Sequence, residues 1–289
     1  MSSSSIKLLV GFSQASASNI VAQLIAPALA EALNEQVEIV SIPGDNGRRV
    51  LEACAQAAPN GRTLCVSVPT HLTNGRYDLA KDFAPVGMIA SNPLVLAVSN
   101  TLGVNTLTQF IDYVRARPDQ HIYGASAIGG GPHLAAQLFC DLAQVRMRMQ
   151  VYAETQVLYE DLAAGRIAAT FNNPMSALPL AREGKITLLA STGISVNASV
   201  AHLPILATTL AGYRYESWVG LLAPSQTPEK AIGELNHALQ DATQKPPIKQ
   251  TITELGQDAS TLSATDYANY LRTEQARWSA YLSTTRVTT

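Results

Sequence analysis

Two loops made mostly of small residues are the stretches of this sequence best suited to chemistry. The first, Phe12-Ser13-Gln14-Ala15-Ser16, lies between an apolar run at 6–10 and a helical pattern that begins at Asn19, with Ser18 or Asn19 as the helix cap. The second, Ser126-Ala127-Ile128-Gly129-Gly130-Gly131, leads through Pro132 into a helical pattern that begins at His133. Small residues let a ligand approach the backbone, and the free amides of a helix start favour an anion. We therefore expect both loops to bind an anionic group.

Polar side chains also follow three predicted strands, at 63–68, 147–151 and 167–171. These candidates for the remaining walls of a site are Thr70 and His71 (with Asn74), then Tyr152 and Glu154, then Asn172 and Asn173. The carboxyl ends of strands in open α/β sheets are where such proteins bind ligands. Two simpler interpretations stay open: His71 is an ordinary surface residue, and Glu154 caps the following helix.

A third interpretation of the first loop is catalytic. The run from Gly11 to Ala15 resembles the G-x-S-x-G turn of serine hydrolases, with alanine at the last position. Ser13 would then be the nucleophile of an esterase, and His202 or His237 would complete a triad. The position of the loop argues against this, because only about ten residues precede Ser13 to supply the other half of an oxyanion hole.

Composition excludes several classes of function. The 289 residues carry a net charge of -2 and only 15% charged residues, so there is no basic field for nucleic acid. No window reaches the eighteen or so uncharged apolar residues of a membrane span. The three cysteines form no C-x-x-C pair, and neither glycine-rich loop matches a Walker or G-x-G-x-x-G motif. We expect no nucleic-acid partner, no cofactor and no metal.

The order of predicted elements indicates two α/β lobes. The first 70 residues or so alternate strand, helix, strand, helix, strand, which is typical of a parallel sheet. A second α/β series begins after Asn100, and only helices follow Pro228. We expect a discontinuous first lobe of residues 1–98 and 219–289, with a second lobe of residues 99–218.

Several stretches, in this order and spacing, resemble the Bug-type extracytoplasmic solute receptors associated with tripartite tricarboxylate transporters. They are Lys81–Val86, Tyr123–Ser126, His133–Phe139, Asp161–Arg166, Ala177–Lys185, Trp218–Pro224 and Tyr267–Trp278. The resemblance implies the type II periplasmic-binding fold, in which two α/β lobes joined by two crossover strands close on a ligand in the cleft between them. It also implies that the two small-residue loops hold one carboxylate of a small organic acid or amino-acid-like ligand, without catalysis. The implied partners are membrane transporter or sensor subunits, and the implied location is the periplasm, with the signal peptide presumed removed.

The sequence departs from the family pattern at the predicted site. Ser13–Ser16 replaces a usual Pro-Pro-Gly-Gly, and Asn19 and Asn172 each stand where an Asp is usual. Glu154 replaces a usual Lys, which would disfavour a second carboxylate and admit an amine or amide. The resemblance therefore implies a carboxylate ligand without naming it.

Overall fold

The computed structural model describes residues 5–14, 16–73, 76–193 and 199–284. These residues form two compact units. The first unit contains the described residues up to Ser91, then Trp218–Glu254, and those from Asp258 onward. The second contains the described part of Asn92–Ser217 together with Leu255–Gln257.

Strands and helices alternate along most of the described chain. The strands are β1 (Ile6–Val10), β2 (Val37–Ser41), β3 (Thr63–Ser67), β4 (Phe83–Asn92), β5 (Val95–Ser99), β6 (Ile122–Ala125), β7 (Arg148–Val151), β8 (Ala169–Asn172), β9 (Ile186–Ser191), β10 (Ser217–Pro224) and β11 (Asp258–Ala259). The α-helices are α1 (Ala17–Leu33), α2 (Arg48–Ala55), α3 (Leu107–Arg115), α4 (Gly131–Ala143), α5 (Thr155–Ala163), α6 (Pro174–Arg182), α7 (Glu229–Gln244), α8 (Pro246–Glu254) and α9 (Ala264–Thr284). This alternation confirms the predicted α/β class.

The described strands of the first unit form a six-stranded sheet in the order β11-β4-β10-β3-β1-β2. Strand β1 is parallel to both β2 and β3, with Val10 opposite Ser41 and Leu9 opposite Cys65. Four of the five β1 residues are buried, as expected for a strand covered on both faces. This register brings the carboxyl ends of β1, β2 and β3 to one edge of the sheet.

The second unit has a five-stranded sheet in its described residues, in the order β7-β6-β8-β5-β9. Strand β6 is parallel to β7 and β8, with Ala125 opposite Val151 and Gly124 opposite Thr170. Strand β5 runs antiparallel to β8 and β9. The loops that follow β6, β7 and β8 therefore leave from the same edge.

Two predicted helix starts were wrong, and each error has a local cause. Helix α1 begins at Ala17, before the predicted Asn19, because the Ser16 side chain accepts a hydrogen bond from the Asn19 amide and caps the helix. Helix α6 begins at Pro174, ahead of Leu178 where the sequence predicts its start, because Asn173 caps it and proline suits the first turn. The units divide at Asn92, ahead of the predicted boundary at residue 98, because all of β5 pairs into the second sheet.

Candidate functional site

The Phe12 loop follows β1 at the shared edge of the first sheet. Ser13 and Gln14 are exposed there, while Ser16 caps α1. The Ser16 amide donates to the Ser13 carbonyl at 2.9 Å, which closes a tight turn just before the helix. Ala15, also predicted to bind ligand, lies outside the described residues. The exposed backbone and hydroxyls of this turn stand at the positive end of the α1 dipole, where a carboxylate is favoured.

Asn19 supports this loop from inside. Its side chain is buried, its Nδ2 donates to the Phe12 carbonyl at 3.5 Å, and its Oδ1 accepts from Gln23 Nε2 at 2.8 Å. The structure thus shows Asn19, a predicted ligand-binding residue, bonded to the backbone of the loop. Its amide group stabilises the loop conformation rather than projecting into solvent.

His71 lies in a short 3₁₀ turn after β3 and is fully buried, so the interpretation as a surface residue was wrong. Its ring stacks on that of Phe12, with 5.7 Å between centroids. Nδ1 accepts from the Val68 amide at 3.4 Å, which leaves the proton on Nε2, and Nε2 has no acceptor among the described residues. Burial lowers the pKa of His71 to about 3, so the ring is neutral at physiological pH. Thr70 beside it is half-buried, and Asn74 lies outside the described residues.

Gly47 packs between the Phe12 loop and the turn that contains His71, and the sequence did not single it out as a site residue. It follows β2 with φ of 81°, a conformation that favours glycine. A Cβ at this position would overlap His71 Nε2 and come within 2.9 Å of Phe12 Cζ. The signal in the sequence was the turn Gly44-Asp45-Asn46-Gly47, whose second glycine must approach a neighbour closely. Loops from β1, β2 and β3 therefore pack together at Phe12, Gly47 and His71.

His133, in the first turn of α4, fixes the conformation of the loop that follows β6. The Gly129 amide donates to His133 Nδ1 at 2.8 Å, and the Gly130 amide donates to the Ala127 carbonyl at 3.2 Å. His133 is buried, and burial lowers its pKa, so it stays a neutral acceptor. Gly131 begins α4. In the described part of the chain, the Ser126 and Ala127 amides donate to no acceptor. These two amides remain available to a ligand, whereas that of Gly129 is already used.

Tyr152 and Glu154 follow β7, next to this loop. The Tyr152 amide donates to the Ala125 carbonyl at 2.9 Å, and its hydroxyl donates to Asp161 Oδ2 at 2.6 Å. Burial and this hydrogen bond raise the pKa of Tyr152 to about 12. Glu154 is exposed and occupies the N-cap position of α5, as the simpler interpretation expected, but its side chain makes no capping hydrogen bond.

Asn172 ends β8, on the other side of β6, and Asn173 follows it directly. Asn172 Oδ1 accepts from the Asn173 amide at 2.8 Å, and Asn173 Oδ1 accepts from the Met175 amide at 3.1 Å, which caps α6. Both side-chain oxygens are therefore used locally. Their NH₂ groups are the parts that can donate to a ligand.

No described hydrogen bond joins Ser13 to a histidine, as a hydrolase nucleophile would require. His237 instead lies on α7, with Nε2 3.5 Å from Asp241, and His202 is exposed in the second unit. The residues described contain no cluster of His, Cys, Asp or Glu that could hold a metal ion. None of the described helices combines the length and the apolar character needed to cross a bilayer.

Comparison with known proteins identifies the family. The model for the "Tripartite tricarboxylate transporter family receptor" matches residues 21–286. The structure of Rhodopseudomonas palustris Rpa4515 with adipate is 30% identical, with a TM-score of 0.82 over 97% of this chain and 96% of that one. MatC from the same organism, solved with malate, is 24% identical, with a TM-score of 0.79 over 95% and 97%.

The protein BugT of Bordetella pertussis is 25% identical over 293 residues, which cover 97% of this chain and 89% of that protein. The structural matches extend over both units and confirm the type II periplasmic-binding fold that the resemblance implied. The family consists of solute-binding receptors, which are not enzymes. The chain belongs to the tripartite tricarboxylate transporter receptor family, of the Bug type.

Proposed function

We propose that this protein is a receptor that captures a small carboxylate-bearing metabolite for a transporter of the tripartite tricarboxylate type. The observation that carries the proposal is the pair of loops at helix starts, after β1 and β6, whose exposed backbone suits a carboxylate. Family membership supports it, and so does the 30% identical relative whose structure holds adipate.

The loops of each unit have distinct parts in this proposal. In the first unit, the hydroxyls and amides around Ser13, Gln14 and Ser16 bind one carboxylate, and the α1 dipole adds to the attraction. In the second unit, the Ser126 and Ala127 amides bind a carboxylate at the start of α4. Thr70 and His71 shape the rest of the proposed site in the first unit, and Tyr152, Glu154, Asn172 and Asn173 do so in the second. Loops already fixed by Asn19 and His133 lose little freedom on binding, which favours affinity.

We also propose that the protein works in the periplasm and delivers its ligand to membrane subunits of the transporter. Receptors of this family are periplasmic solute-binding proteins, which supports that location. Binding without catalysis is supported by family membership, since the receptors of this family are not enzymes.

A thermal-shift screen of the purified protein tests the proposal. The panel contains mono-, di- and tricarboxylates, amino acids and aromatic acids. A ligand at a hundred times its Kd stabilises the folded state by about 2.7 kcal/mol, which should raise Tm by several degrees. Ser126→Pro removes one available amide and should reduce this shift while the Tm without ligand stays near that of the parent protein. Equal shifts in both proteins would contradict a role of the loop after β6 in binding. A panel without any stabilising acid would overturn the proposal.

A further inference from the structure

The loops that follow β6, β7 and β8 at the carboxyl edge of the second sheet, all within the described residues, contain a single charged residue. The segments that follow β6, β7 and β8, at 126–130, 152–154 and 173, include neither lysine nor arginine. Their one charged side chain is Glu154, which is exposed and forms no ion pair within the described residues. A second carboxylate at this edge would meet a negative charge, and these loops offer it no cation.

The same edge exposes large apolar side chains. The described chain has six such residues, namely Ile20, Ile128, Leu142, Val151, Val157 and Met175. Ile128 follows β6, Val151 ends β7, and Met175 lies in the first turn after β8; they are 43%, 50% and 44% exposed. Val157 lies in the first turn of α5, beside Glu154 in the chain. Leu142 is also an exposed apolar residue of the second unit, but it lies near the end of α4, away from the carboxyl edge of the sheet.

The charge of Glu154 and the exposed apolar side chains at this edge favour the same kind of ligand. An apolar body of a ligand gains free energy by covering exposed side chains such as Val151 and Met175. The amides near Ser126 suit one carboxylate, while Glu154 repels another. Resting on the proposed function, we propose that the second unit selects a ligand with one carboxylate on an apolar body and discriminates against a second carboxylate.

Calorimetric titration with matched pairs of acids tests the charge part of this proposal. The pairs are butanoate with succinate, hexanoate with adipate, and octanoate with suberate, each matched in carbon number. We expect the monoacid of the best-binding pair to bind about tenfold or more tightly than its diacid. Glu154→Lys should reduce or reverse this ratio. Glu183→Lys is the control, since Glu183 is an exposed residue that follows α6 and precedes β9, at the opposite edge.

The apolar part is tested with Met175→Gln, which keeps the length of the side chain but makes it polar. This variant should weaken binding of the best monoacid by roughly fourfold for each methylene group of the ligand that no longer packs against an apolar side chain. Leu142→Gln introduces the same polarity at an exposed residue away from the edge, and it should leave the affinity unchanged.

The outcomes separate this proposal from the proposed function. Tighter binding of the diacids, or a monoacid-to-diacid ratio that Glu154→Lys leaves unchanged, would overturn the selection while leaving carboxylate capture intact. Equal weakening by Met175→Gln and Leu142→Gln would overturn the apolar contact. If the parent protein and every variant bound none of these acids nor any acid of the thermal-shift panel, the proposed function itself would fall.

Discussion

Phe12, Gly47 and His71 come from three different loops and pack against one another at one edge of the first sheet. Their contacts connect the loop proposed to bind a carboxylate to the turns that follow β2 and β3. The His71 ring is buried and neutral, so it contributes shape and a hydrogen bond to Val68 instead of a positive charge. At the scale of residues, the site is a packed arrangement with little freedom to change volume.

Gly47→Ala tests this packing. The added methyl would overlap His71. The alanine would also have to adopt a φ of 81°, which is strained for any residue with a Cβ. Gly212→Ala is a close control, because Gly212 has a φ of 83° with nothing within 4 Å of the added atom. We expect Gly212→Ala to lower the free energy of unfolding by about 1 kcal/mol and Gly47→Ala to lower it by roughly 1 to 3 kcal/mol more. Chemical denaturation measures both, and equal losses would contradict the packing described.

The buried His71 also predicts a dependence of stability on pH. Its pKa is about 3 in the folded protein and near 6.5 when exposed, so between these values the unfolded chain binds a proton that the folded chain does not. Stability should therefore fall as pH drops below about 6.5, with His71 contributing up to about 1.4 kcal/mol per pH unit.

Denaturation curves at several pH values measure this contribution in His71→Gln, which keeps an acceptor for Val68. A plot of this variant's free energy of unfolding against pH should have a shallower slope than that of the parent protein. Gly212→Ala provides the control, since it changes no titratable group and should leave the pH dependence unaltered. A His71→Gln slope identical to that of the parent protein would show that His71 is protonated in the folded state.

The identity of these residues could be predicted from the sequence better than their environment. Thr70 and His71 were placed correctly after a strand, since periodicity marks where a strand ends. The burial of His71 depends on Gly47 and on α9, where Gln275 donates to the Leu72 carbonyl at 3.1 Å. Those contacts join parts of the chain far apart in sequence, which local patterns do not specify.

At the scale of elements, helix starts determine where ligand donors lie. The apolar runs predicted most strands closely, because a buried strand needs consecutive apolar residues. The sequence predicts the starts of α1 and α6 at Asn19 and Leu178, later than the helices begin, because Ser16 and Asn173 are equally suited to ligand binding and to capping. The structure shows that Ser16 caps α1 and Asn173 caps α6. Small polar residues before a helix can serve both purposes, and their pattern alone does not separate them.

Ser16→Asp separates capping from ligand binding. Aspartate caps a helix about as well as serine, so the free energy of unfolding without ligand should change by no more than about 0.5 kcal/mol. The added negative charge should weaken carboxylate binding by about tenfold or more. Thr106→Asp is the matched control: Thr106 caps α3, which follows the antiparallel strand β5 and begins at the opposite edge of its sheet. Unchanged affinity in Ser16→Asp would remove this helix start from the site.

At the scale of the whole molecule, the chain enters the second α/β unit at Asn92, returns to the first at Trp218, and contributes Leu255–Gln257 to the second again. The two-unit architecture could be predicted because α/β patterns recur in both halves of the chain. The placement of β5 could not, since β4 and β5 are both apolar and only their pairing partners show which sheet each one joins. Both units present a loop, an open backbone and a helix start at one sheet edge, which is the arrangement from which we infer carboxylate capture.

The most direct test of that inference is isothermal titration of the parent protein with each acid of the panel and with its primary amide, for example hexanoate with hexanamide and adipate with adipamide. Acid and amide have nearly the same shape, so their difference in affinity reports the carboxylate charge. We predict that at least one acid binds and that its amide binds about a hundredfold more weakly, because helix-start amides favour the anion. An amide that binds as tightly as its acid, or a panel in which no acid binds, would contradict the account.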